Sequence, residues 1–181
     1  MPTFTDSTVP TAANLTSLVT GISALGVLAT GLAATRQVIP VASMYLNTTL
    51  AIPDTADTIA SLPAVTINED NLWVPSVGHM TIQTAGIYIA YAQVNWDGNA
   101  TGIRASHILL NGTAVANSVA ACVGNPVTTA GVGTCQALIT PPMSLAHNAQ
   151  VYLSVFQNTG APLNLIPNES GTSLTILRLG A

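Results

Sequence analysis

Residues 86–97 read Gly86-Ile87-Tyr88-Ile89-Ala90-Tyr91-Ala92-Gln93-Val94-Asn95-Trp96-Asp97, and the fold class turns on this stretch. Tyr88, Ala90, Ala92, Val94 and Trp96 share one side of an extended chain, the period of two that marks a β-strand. Ile87, Ile89 and Tyr91 begin the other side, so both faces are apolar over the first half. A strand in an antiparallel sandwich normally shows one face to the opposite sheet and the other to water. An apolar outer face predicts cover, either from another subunit or from a loop of the same chain.

The same period extends in both directions. From Val38 onward, strands are predicted at 40–52, 58–67, 78–84, 86–97, 102–110, 113–122, 133–140, 150–158 and 171–179. Turn residues separate them at Thr84-Ala85-Gly86, Asp97-Gly98-Asn99, Asn111-Gly112, Pro141-Pro142 and Asn158-Thr159-Gly160. Asn111-Gly112 between two alternating runs predicts a tight hairpin. Eight or nine short strands without helices between them indicate a sandwich or barrel. The strand at 150–158 repeats the two-faced character, with Val151, Leu153 and Val155 on one side and Tyr152 and Phe156 on the other. Ile87, Tyr88, Ile89, Tyr91, Trp96, Tyr152 and Phe156 are therefore the candidate inter-subunit or core residues.

Residues 1–37 follow a different rule and are read as a separate N-terminal region ahead of a 38–181 head domain. An extended arm with Pro2 and Pro10 leads into a helix start at Pro10-Thr11. Leu15, Leu18, Ile22, Leu25, Ala29 and Leu32 then recur at alternating spacings of three and four, the seam of a short heptad pattern. Gly21, Gly26 and Gly31 weaken a lone helix, so partner copies are expected to pack on it. A single amphipathic helix lying on its own domain is the alternative. Leu15 to Ala34 is uncharged and long enough to span a bilayer. Its Ser, Thr and Gly content and the lack of a preceding cation favour a soluble helix.

Composition narrows the partners. Only 6% of the 181 residues are charged, none is lysine, and the net charge is −4. Arg36, Arg104 and Arg178 are the three cations, too few to displace counterions from phosphates, so nucleic acid is excluded as a partner. Basic membrane-surface helices are excluded by the same count. A hydrophobic fraction of 49% in a chain this short of charge points to apolar surface buried between subunits. The two cysteines, Cys122 and Cys135, flank a Gly/Thr/Pro-rich segment that reads as a hairpin tip. They are read either as a disulfide or as two free thiols.

Taken in order, several segments resemble the globular-head family of the first complement component and tumour necrosis factor. They are Asn71-Leu72-Trp73, Thr84-Ala85-Gly86-Ile87-Tyr88-Ile89, Val94-Asn95-Trp96, Gly102-Ile103-Arg104 and Leu110-Asn111-Gly112-Thr113. Val151-Tyr152-Leu153, Gln157-Asn158-Thr159-Gly160 and Thr172-Ser173-Leu174-Thr175-Ile176 complete the series. Their order and spacing over residues 40–181 carry the likeness, not any single motif. The resemblance implies a mainly β, antiparallel jelly-roll sandwich assembled as a tight homotrimer, here preceded by one N-terminal α-helix. No Gly-X-Y repeat precedes the head, unlike the vertebrate complement proteins. The opening Pro2-Thr3-Phe4-Thr5-Asp6 and Val9-Pro10-Thr11-Ala12-Ala13-Asn14-Leu15 resembles small structural proteins of tailed actinobacterial bacteriophages. That likeness implies an anchoring N-terminus, a location on the virion surface, and major capsid or tail proteins as partners.

Residues for chemistry are sparse. His79, His107 and His147 stand far apart without metal-site spacing, and His107 beside Arg104 reads as a packed or interface residue. Asp54 with Asp57, and Glu69 with Asp70, sit in loop-like sequence rather than on converging elements. Asp97-Gly98-Asn99 reads as a turn, with calcium ligation the lesser alternative. Sequons at Asn14, Asn47, Asn99, Asn111 and Asn168 decide little, since thirteen asparagines in a Ser/Thr-rich chain produce some by chance. No cofactor and no catalytic residue are expected. The expected role is a trimeric capsid decoration or head-fibre protein. A minor tail or receptor-binding tip recognising host-surface glycan is the first alternative, and a secreted complement-head-like binding module the second. A helix of about 30 Å anchors better than it reaches, which favours decoration over reception.

Overall fold

Alternating apolar and polar residues have one economical solution, to pair as strands with the apolar sides facing each other. The structure, a computed structural model, describes residues 40–69, 73–74, 78–125 and 133–180. The chain divides between Val38 and Ile39. The seam residues Leu15, Leu18, Ile22, Leu25 and Leu32 lie outside the described residues.

The strands are β1 (Val41–Tyr45), β2 (Leu50–Ile52), β3 (Thr58–Ile59), β4 (Ala64–Asn68), β5 (Trp73–Val74), β6 (His79–Thr81) and β7 (Gly86–Trp96). They continue as β8 (Arg104–Leu110), β9 (Ser118–Gly124), β10 (Thr134–Ile139), β11 (Met143–Leu145), β12 (Gln150–Gln157), β13 (Leu163–Leu165) and β14 (Ser173–Gly180). The first sheet runs β2-β13-β7-β14-β1-β4, with β10 and β11 also paired to β7. The second runs β5-β6-β12-β8-β9, with β3 on β12. The chain changes sheet repeatedly, at β2/β3, β3/β4, β4/β5, β6/β7, β7/β8, β9/β10, β11/β12 and β12/β13, the wrapping of a jelly roll. The antiparallel sandwich expected from the period of two is present.

One core joins the sheets. Tyr88, Ala90, Ala92, Val94 and Trp96 of β7 are fully buried, as their alternation predicts, and pack with Ile108, Val151, Leu153 and Val155 of the second sheet. Each large aliphatic side chain buried this way contributes roughly 1.5–3 kcal/mol. Two glutamine amides enter the core with their bonds made. The Gln136 amide bridges the sheets. Its Oε1 accepts from Trp96 Nε1 at 2.9 Å and from the Ser106 hydroxyl. Its Nε2 donates to the carbonyls of Arg104 at 2.9 Å and Cys122 at 3.2 Å. Gln157 Nε2 likewise donates to the carbonyls of Ile52 and Ala161.

Several boundaries differ from the sequence reading. The run 58–67 is two strands in different sheets, because Pro63 cannot donate to a ladder and the chain crosses before it resumes at β4. The run 40–52 breaks after β1 and resumes as β2. The strand expected at 113–122 begins later, at Ser118. Asn111-Gly112 is not a two-residue hairpin. Asn111 has φ 55 and stays stitched to β12, its N–H donating to the Gln150 carbonyl and its Oδ1 accepting from the Gln150 N–H. The connection then runs through a 3-10 turn at Val115–Asn117 before β9. A type I′ hairpin needs positive φ at both central residues, and only Asn111 has it.

Candidate functional site

The outer side of β7 is the surface that the sequence singled out. Its two halves differ. In the second half the amides of Gln93 and Asn95 both donate to the Ser170 carbonyl, which ties the 166–172 strap across the sheet. Gly171 makes the strap's tight path possible, since a Cβ there would lie 2.6 Å from the Ile166 carbonyl oxygen and 2.8 Å from that of Pro167. In the first half no such strap crosses among the described residues. Tyr91 is 41% exposed, and Ile87 and Ile89 are half-buried.

Strand register carries the apolar character sideways from β7. Tyr91 lies between Ile139 of β10 and Thr175 of β14. Thr175 pairs with Ser43 of β1, their hydroxyls 2.8 Å apart, and Ser43 pairs with Ile67 of β4. One step along the sheet, Ile89 pairs with Leu177, and Leu177 with Val41. Leu179 is 52% exposed at the end of β14. None of these side chains is charged, and water solvates such apolar side chains poorly.

Outer positions on β8 and β12 of the second sheet are largely closed. Leu109 and Ser154 are fully buried, and Tyr152 is only 8% exposed. Its ring packs on His79 with centroids 4.8 Å apart, and its hydroxyl donates to Gln150 Oε1. Tyr152 is therefore not an interface side chain waiting for a second copy; cover within the chain has taken that place. Phe156 is half-buried. Tyr88 and Trp96 are core residues, while Ile87, Ile89 and Tyr91 remain available.

Both cysteines are free thiols. Cys122 packs against the core from β9, whereas Cys135 is exposed on β10 next to the buried Gln136. Strand alternation thus points the two sulfurs to opposite sides of the sandwich wall, which rules out the bridge in this arrangement. The hairpin-tip reading also fails, because β9 and β10 belong to different sheets.

The histidines fall on β6, on β8 and in the turn before β12, and no group of three or more metal-ligating side chains forms among the described residues. His107 Nδ1 lies 3.4 Å from the Ser118 hydroxyl. Asp97 Oδ2 accepts from Asn164 Nδ2, and Asn99 Oδ1 accepts from the N–H and hydroxyl of Thr101, so both serve the turn. Asp54 Oδ1 accepts from the Gly160 N–H. Sequence reasoning missed Gln136 and Arg104 as organising residues. Gln136 follows an apolar alternation that gives no hint of its four bonds. Arg104 is fully buried, with Nη1 donating to the carbonyls of Thr101 and Gly102 and Nη2 to that of Asn99.

No family model and no curated protein matches the chain. Solved structures do. The structure of Eiger TNF from S. frugiperda matches with a TM-score of 0.59 at 10% identity, over 78% of this chain and 93% of that one. Murine APRIL matches with a TM-score of 0.58 at 15% identity, over 78% of this chain and 100% of that one. At such low identity the likeness establishes the fold alone: a tumour-necrosis-factor-like jelly roll.

Proposed function

We propose that this chain is a non-enzymatic structural protein that works as a homotrimer, a capsid decoration or head-fibre protein on the virion surface of a tailed bacteriophage. On this reading residues 1–37 hold it to the major capsid protein or to tail proteins, and the jelly-roll head is displayed. The observation that carries self-association is the uncharged outer face around Tyr91, with Ile89, Leu177 and Leu179 beside it. Ile139, 64% exposed beside Tyr91, extends that face, and the edge strand β9 carries Val123 at 63% exposure. An edge presented to the face of the next copy makes a head-to-tail contact, and such contacts close into rings. The family resemblance supports three as the number. The likeness of the N-terminal residues to actinobacteriophage structural proteins supports the virion.

Light scattering of the purified protein tests the assembly, with three times 18.4 kDa expected. A monomer at every concentration sinks the proposal. Deletion of residues 1–37 tests the anchor: a soluble trimeric head that no longer binds its particle is expected, and a head that still binds refutes it. Specific binding on a glycan array would move the assignment from decoration to adhesion.

A further inference from the structure

We draw no further inference here: the strongest candidate, the small pocket on the outer side of the first sheet where Cys135 of β10 pairs with Asn95 of β7 beside Ile166, rests on a lone exposed thiol, since the unpartnered Asn95 Oδ1 in its wall is buried out of a ligand's reach.

Discussion

Arg104 is a guanidinium enclosed by its own loop. Three backbone carbonyls, from Asn99, Thr101 and Gly102, converge on Nη1 and Nη2. Burial pushes its pKa down from the ordinary arginine value, since desolvation disfavours the charged form. The gain is local order: the crossover from β7 to β8 is wound around a fixed cation, which places the first residues of β8 beside Gln136. Replacing Arg104 by Met should cost about 1–3 kcal/mol in urea unfolding, from the lost charge-assisted bonds to the loop. Lys at the same position should recover little of that loss, because one ammonium on a flexible stem cannot reproduce the planar fork. A variant as stable as wild type would show that the loop holds without its cation. In the sequence, Arg104 was legible as a cation and as part of the Gly102-Ile103-Arg104 segment, not as a buried group. Its burial depends on a loop whose path no local pattern encodes.

At the scale of the element, β7 forms the strand that its period of two predicts, with its inward row buried, and for a physical reason. It is long, and its inward row of Tyr88 to Trp96 leaves the outward row of Ile87, Ile89 and Tyr91 no ambiguity. Short strands gave no such signal: β11 and β13 each span three residues, where a period of two cannot be told from chance. For β12 the sequence left open cover from another subunit or from the same chain, and the structure places His79 on Tyr152. Two substitutions test the elements around the candidate face. Leu177→Lys puts an ammonium between Ile89 and Val41. It should leave the circular dichroism unchanged and weaken assembly by at least about 100-fold, since an unpaired charge would have to be buried. A trimer undisturbed by that lysine would move the interface elsewhere. Gly171→Ala brings a Cβ against the Ile166 and Pro167 carbonyls. About 1–3 kcal/mol of lost stability is expected, seen as a lower urea midpoint, with faster hydrogen exchange over 166–172.

Over the whole molecule the scarcity of charge becomes a statement about assembly. The proposed interface around Tyr91, Ile89 and Leu177 offers no ion pair for salt to screen. The proposed trimer's dissociation concentration should therefore stay level or fall between about 0.05 and 1 M sodium chloride, as measured by sedimentation velocity. Marked dissociation at high salt would mean that charged groups hold the copies together. The same scarcity fits a fold whose interior holds amides bonded in place, with Gln136 and Gln157 as the fullest cases.

By itself the amino-acid order determined the antiparallel sandwich, the buried row of β7 and its apolar reverse side. These are short-range properties, written in the alternation of neighbouring residues and in the near absence of ions. Only the tertiary structure decided which strands share a sheet, which side of β12 is already covered, and that Cys122 and Cys135 face apart. It alone also placed the Gln136 amide among four partners drawn from three other strands. Such outcomes depend on residues far apart in the chain meeting in space, and no local period records where distant segments will meet.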